Sequence, residues 1–306
     1  MTRLLVTGAN GFVGQWTLRH WRTAHPDVEI WATSDRPGCP KGLADQFAIL
    51  DLRDAEAVRE FVRSCRPDGV VHLAGLVGKA SLADHMAVNV LGTENLYQAV
   101  LELDHAAEVR IVQAGTAAMY GQVSPDDLPI KESCTMRPLT PYAISKMTQD
   151  CLAEMLWRTH GLQVIRARVF NLLGPGQPEH LVPATFIKQL RAAHNGGTIR
   201  VGNLASRRDF VDVRDVAEAF DRLLERGEAG QAYNVASGES TSIRRVLDEL
   251  VAIADLRALS IEEEQPRVRR NDVPDVAADI GAIARASGWR PQVPMKESLK
   301  AMYGAA

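Results

Sequence analysis

Leu4-Leu5-Val6-Thr7-Gly8-Ala9-Asn10-Gly11-Phe12-Val13-Gly14 is the stretch on which the reading of this chain turns. A short apolar run, Leu4 to Val6, ends at a glycine as a buried strand does. A helix can then run from Gly11 to His25, where Pro26 stops it. At a strand-to-helix junction each glycine has a physical task. Gly8 permits a tight turn, Gly11 lets the backbone approach a pyrophosphate, and Gly14 lets helix and strand pack closely. The helix start offers free N–H groups and a partial positive charge to a diphosphate. The loop, with Asn10, Phe12 and Val13 beside the glycines, therefore predicts a dinucleotide site.

Outward from the loop, Glu29 to Ser34 reads as a second strand whose end chooses the cofactor. An acid there suits a ribose 2′-hydroxyl, and an arginine suits a 2′-phosphate. Ser34-Asp35-Arg36 offers both: NAD if Asp35 faces the ribose, NADP if Ser34 and Arg36 do. Asp51-Leu52 follows a third strand, Phe47 to Leu50, and belongs by the adenine in such a fold. Further on, helices at Ala55–Cys65, Ala83–Leu103 and Pro141–His160 alternate with strands at Gly69–Leu73, Glu108–Ala114 and Gln163–Arg168. Units of roughly 30 residues that alternate in this way indicate a parallel sheet covered on both faces. The expected fold is α/β, a Rossmann-type doubly wound parallel sheet with a smaller C-terminal substrate lobe. Residues 1–170 form the dinucleotide-binding part, and Arg208–Val213 and Ala232–Val235 are strands returning towards its sheet. Residues 171–306 mainly build the lobe.

Composition narrows the partners. The 306 residues carry a net charge of −3, which gives no basic field for a nucleic-acid backbone. The four cysteines, Cys39, Cys65, Cys134 and Cys151, are scattered without metal or redox spacing, as in a reduced cytosolic protein, and no metal is expected. The N-terminal apolar run is too short for a signal peptide. No later run approaches the ~18 residues of a membrane span. A cytoplasmic, soluble protein is expected.

Tyr142-Ala143-Ile144-Ser145-Lys146 sets a phenol and an ammonium four residues apart on one helix face, opened by Pro141. A phenol near pKa 10 exchanges protons poorly at neutral pH. A neighbouring ammonium favours the phenolate and brings it towards general acid–base work. Thr116 follows the fifth strand and offers a hydroxyl to the same substrate oxygen.

Together these segments resemble an extended short-chain dehydrogenase/reductase along nearly the whole chain. The likeness runs through the Gly8–Gly14 loop, His72-Leu73-Ala74, Asn89-Val90-Leu91-Gly92-Thr93, Thr116 to Gly121, Tyr142 to Lys146 and Arg168-Val169-Phe170-Asn171. The later segments Gly174-Pro175-Gly176-Gln177, Val201-Gly202-Asn203-Leu204, Arg208 to Val216, Tyr233 to Gly238, Arg270 to Pro274 and Gly288 to Pro291 are most similar to GDP-4-keto-6-deoxy-D-mannose reductases and GDP-mannose 4,6-dehydratases. The resemblance implies that Tyr142 exchanges the proton, Lys146 binds the nicotinamide ribose, and Thr116 holds the sugar C4 oxygen. It adds Leu73 and Ala74 to the cofactor contacts. It places Asn171, Arg208 and Arg270 at the nucleotide-sugar diphosphate, where a planar cationic fork suits phosphate oxygens. It also implies a homodimer through the helices near 83–103 and 141–160.

Thr116-Ala117-Ala118-Met119-Tyr120 departs from the dehydratases, which carry an acid at the position of Ala118. Removing the C5 proton and expelling the C6 hydroxyl requires a placed base and acid, and two alanines supply neither. The expected reaction is therefore NAD(P)H-dependent reduction of the C4 ketone of a nucleotide-activated 4-keto-6-deoxy sugar, GDP-linked by resemblance. An NAD-dependent nucleotide-sugar 4-epimerase would use the same residues and stays open. So, in another class, does a nucleotide-binding module without turnover. His72 reads as packing near the cofactor, and Lys79 or Ser81 as candidates at the sugar end.

Overall fold

The computed structural model describes residues 1–38, 42–193, 196–264 and 274–305. The chain opens with β1 (Arg3–Thr7), α1 (Phe12–Ala24), β2 (Glu29–Ser34), β3 (Gln46–Ile49), α2 (Ala55–Cys65) and β4 (Gly69–His72). It continues through α3 (Leu82–His85), α4 (Gly92–Leu101), β5 (Arg110–Thr116), α5 (Pro141–His160) and β6 (Val164–Val169). Next come β7 (Asn171–Leu173), α6 (Val182–Ala192), β8 (Thr198–Val201), β9 (Arg207–Asp212), α7 (Val213–Arg226) and β10 (Ala232–Val235). The last elements are β11 (Ser240–Ser242), α8 (Ile243–Ala254), β12 (Ser260–Glu263), α9 (Gly281–Ser287) and α10 (Met295–Ala305).

Seven parallel strands form the main sheet in the order β10-β6-β5-β4-β1-β2-β3. Both its faces are apolar, which is why the strands read as unbroken hydrophobic runs. In β1, Leu4 and Val6 enter one core with Leu18, Trp21, Phe220 and Leu223. Leu5 points the other way, into a core with Val58, Val62, Leu96, Tyr97 and Leu156. A third core gathers Phe186, Ile187 and Leu190 of α6 with Val246, Leu247 and Leu250 of α8 and Leu299 and Met302 of α10. Here lie two small sheets, β11-β9-β7 and β12-β8.

Two expectations are corrected. The segment Arg208–Val213 does not return to the main sheet: β9 pairs with β7 and β11, and it is α7 and β10 that lead the chain back. The strand is held where it is by Asp209. Its buried carboxylate accepts hydrogen bonds from the backbone N–H groups of Ser237, Gly238 and Ala278 and from the Ser237 hydroxyl, at 2.7–3.1 Å.

The segment Ala83–Leu103 is not one regular helix either. A π turn, Met86–Leu91, separates α3 from α4, and the Gly92 N–H bonds to the Ala87 carbonyl, five residues back. Asn89 supplies the reason. Its carboxamide accepts from the Leu76 N–H (2.6 Å) and donates to the Leu76 carbonyl and to Ser145 Oγ (2.9 Å). The wider turn lets the side chain serve these partners.

Candidate active site

The strand register brings Thr7, Thr33, His72, Thr116 and Val169 to one edge of the main sheet, the edge where open α/β sheets bind ligands. β1 and β4 flank the point where the strand order reverses, and the glycine loop sits there. Gly8 is left-handed at φ +69°, and a Cβ on it would lie 2.7 Å from the Ala74 nitrogen. A Cβ on Gly14 would lie 2.3 Å from the Gly8 oxygen, whereas one on Gly11 would meet that oxygen at 3.1 Å. Gly14 thus serves internal packing, and Gly11 is less crowded. The α1 N-terminus has no side-chain cap and no acid in its first turn. Its donors remain open to an anion, so the residues present fit a dinucleotide diphosphate.

Around the loop, Leu73 and Ala74 both donate N–H to Thr7 Oγ1 at 3.2 Å. Asn10 Nδ2 donates to the carbonyls of Arg36 (2.8 Å) and Pro37 (3.0 Å), drawing the end of β2 towards the loop. Ser34 is buried, while Asp35 and Arg36 are largely exposed and 3.7 Å apart. Phe12 lies beside Gly174 and Gly176, and Val13 packs on the first core. Leu52 is buried and accepts a hydrogen bond from Asn95 at its carbonyl. Asp51 is engaged by Arg53 (2.6 Å) and stays half exposed.

The opposite flank is built by α5. Thr140 caps it by accepting from the Ala143 N–H (3.1 Å), and Pro141 occupies the first turn. The next residue is Tyr142, whose phenol lies close enough to Thr116 to feel its hydroxyl; that hydroxyl accepts from the Ala118 N–H (3.2 Å). The structure therefore brings Thr116 and Tyr142 together. Lys146 differs from expectation, because its Nζ donates to the Ala114 carbonyl (2.6 Å) and to Gln149 Oε1. Burial lowers Lys146 to about 8, opposed by the Asp150 carboxylate. Burial pushes the Tyr142 phenol up, opposed by the Thr116 hydroxyl. The expected lowering of Tyr142 by Lys146 is not found, since the ammonium is turned to the β5 carbonyl.

A buried polar chain joins the two flanks. Thr7 Oγ1 meets His72 Nδ1 (2.7 Å), His72 Nε2 meets Thr93 Oγ1 (2.8 Å), and Gln149 Nε2 donates to Thr93 Oγ1 (2.6 Å). From Gln149 the chain passes to Lys146. Burial, with the Lys146 charge adding to it, lowers His72 to about 3, so its ring is neutral.

At the lobe side, Asn171 starts β7, pairs with Phe210 and donates to the Asp209 carbonyl (3.2 Å). Arg208, two residues before Phe210 on β9, donates to the Arg207 carbonyl. Arg270 lies outside the described residues. Ser81 is a helix cap, accepting from the Asp84 N–H and donating to its carboxylate (2.6 Å), and Lys79 is exposed. Sequence reasoning missed Gln149 and His85. The signal for Gln149 is its place three residues after Lys146, which puts both on one helix face; His85 stands four before Asn89.

A family model described as GDP-mannose 4,6 dehydratase matches residues 5–302. The chain is 34% identical to a GDP-6-deoxy-D-mannose reductase of Pseudomonas aeruginosa, over 98% of this chain and 95% of that one. It superposes on RMD from Pseudomonas aeruginosa complexed with NADPH with a TM-score of 0.86 and 32% identity, covering 100% of this chain and 98% of that chain. It is also similar to a Thermus thermophilus UDP-glucose 4-epimerase in complex with NAD, with a TM-score of 0.84 and 29% identity, over 99% and 98% of the two chains.

Proposed function

The chain belongs to the GDP-mannose 4,6-dehydratase family, and we propose that it is an NAD(P)H-dependent oxidoreductase that reduces the C4 ketone of a GDP-linked 4-keto-6-deoxy sugar. The nearness of the Tyr142 phenol to the Thr116 hydroxyl carries this reading, because it puts a proton donor and a second hydroxyl side by side at the sheet edge. When bound, the nicotinamide supplies a hydride to the carbonyl carbon. Tyr142 gives its proton to the C4 oxygen as the C–O double bond becomes a single bond, and Thr116 hydrogen-bonds that oxygen. Lys146, whose Nζ the Ala114 carbonyl and Gln149 hold in place, binds the nicotinamide ribose. Asn171, Arg208 and Arg270 hold the diphosphate of the sugar nucleotide. The Ala117-Ala118 pair beside Thr116 supports reduction over dehydration, since neither side chain transfers a proton.

The same reading assigns the cofactor to Gly8–Gly14, Ser34–Arg36, Asp51, Leu52, Leu73 and Ala74, and prefers NADPH. Support comes from Ser34, whose hydroxyl donates to the Asp35 carboxylate (3.2 Å) and so engages the acid that would hold a ribose, and from Arg36, whose carbonyl Asn10 ties to the glycine loop. Residues 1–170 with 213–235 form the cofactor part and the remainder the sugar lobe. The protein is cytoplasmic, and no helix among the described residues is long and apolar enough to cross a membrane. It is a homodimer through the π turn with α4 and through α5, where the exposed Leu91 and Met155 would be covered.

The test is stoichiometric. With GDP-4-keto-6-deoxy-D-mannose, the enzyme is expected to consume one NADPH per sugar reduced, with a higher kcat/KM for NADPH than for NADH. A 4-epimerase is the second reading, favoured by the likeness to the NAD-bound epimerase. It predicts interconversion of a 4-hydroxy sugar nucleotide with no net cofactor consumption, and that result would replace the reductase.

A further inference from the structure

His85 ends α3 with 1% of its surface exposed. Its ring centroid lies 5.8 Å from that of Tyr142, with the planes at 58°. His85 stands just before the π turn that carries Asn89 to Ser145, and both side chains meet α5. His85 Nε2 is 3.3 Å from the Gly78 carbonyl oxygen. A carbonyl accepts and never donates, so this contact is made by Nε2–H, and in that tautomer Nδ1 presents its lone pair. Nδ1 is shielded from solvent and has no hydrogen-bond partner among the described residues. Buried acceptors in this state are uncommon and costly.

The backbone that His85 holds borders open space. Gly78 is left-handed at φ +95°, and a Cβ on it would meet nothing within 4 Å. Val77, Gly78 and Lys79 are exposed. A sugar whose C4 oxygen sits on Tyr142 and Thr116 carries a hydroxyl donor on the adjoining ring carbon. We propose that His85 is a sugar-recognition residue: its Nδ1 takes a hydrogen bond from the hydroxyl beside C4, while its Nε2–H keeps the Gly78 segment against the sugar. The inference rests on Tyr142 being the group that meets the C4 oxygen. It adds a residue whose type decides which pyranoses are retained.

Calorimetric titration of the purified enzyme with GDP-mannose and GDP, and in parallel with UDP-glucose and UDP, tests it in wild type, H85F, H85N and H85Q. Phenylalanine keeps a ring against Tyr142 without nitrogens. Asparagine restores an acceptor at the δ position, and glutamine reaches the Gly78 carbonyl from the ε position. H85F is expected to weaken the sugar nucleotide roughly tenfold, the effect of one lost hydrogen bond, and to leave the bare nucleotide unchanged. H85N should recover most of the loss and H85Q little. An unchanged H85F, equal weakening of nucleotide and sugar nucleotide, or rescue by glutamine as good as by asparagine overturns the proposal. If H85F fails to fold, the contrast between H85N and H85Q decides. NADPH consumption by wild type judges the reductase reading separately. Should only the UDP pair bind, the GDP assignment falls and the His85 comparison is read on that pair.

Discussion

Two helices start at the same edge of the main sheet and treat their first turns in opposite ways. α1 begins on Gly11 with neither a capping side chain nor an acid. α5 begins with Thr140 accepting from the backbone and proline in its first turn, so two of its four orphan donors are closed or removed. The difference teaches a division of labour. Donors kept open serve an anion from outside the chain, whereas donors closed internally fix the direction in which Tyr142 and Lys146 emerge. Between the two runs the buried chain from Thr7 through His72 and Thr93 to Gln149, so disturbance at one start is felt at the other.

The largest effect should fall on the closed helix. Tyr142→Phe removes the proton donor and is expected to lower kcat about 10³-fold while fluorescence titration shows NADPH binding nearly unchanged; full activity would remove Tyr142 from the reaction. At the open helix, Gly14→Ala places a Cβ 2.3 Å from the Gly8 oxygen, a backbone clash with a cost of about 3 kcal/mol in urea unfolding. Gly11→Ala meets that oxygen at 3.1 Å, a milder crowding, and should cost less stability than Gly14→Ala while raising the NADPH Kd. If both glycines behaved alike, the contrast between packing and approach would be wrong.

The bridge should reveal itself through pH. His72 is lowered from 6.5 to about 3, so between these values the unfolded chain binds a proton that the folded chain refuses. Stability therefore falls as pH drops through this window. The urea midpoint of wild type should decline from pH 6.5 towards 4, and His72→Gln should flatten that slope. The smallest change is Thr140→Ala, about 1 kcal/mol for a lost N-cap, read as a lower Tm with cofactor affinity intact.

Much of the frame was legible because its cause is local. Glu29–Ser34, Ala55–Cys65 and Pro141–His160 are read with the boundaries the structure shows, since burial on two faces, Asp54 and Thr140 as caps, and flanking Gly and Pro all act within a few residues. The glycine turn between β1 and α1 and the nearness of Tyr142 to Thr116 were also anticipated. What escaped depends on distant partners. The π turn exists because Asn89 finds Leu76 and Ser145, and periodicity does not register one extra residue in a turn. Lys146 was expected beside the phenol, yet in the folded chain the nearest acceptors are Ala114 and Gln149. His85 looks like any helical histidine until the fold sets it against Tyr142.

Asp209 gives the end of the chain a weight that its position would not suggest. Its carboxylate is a rivet through three passes of the backbone: β9 itself, the turn after β10, and Ala278 close to the C-terminal helices. Burial already pushes this acid up, against the hydrogen bonds that hold it down. A truncated chain lacking the final pass would strand an anion in the interior with one donor fewer, so the last segment is a fastener for the whole molecule and no dispensable tail.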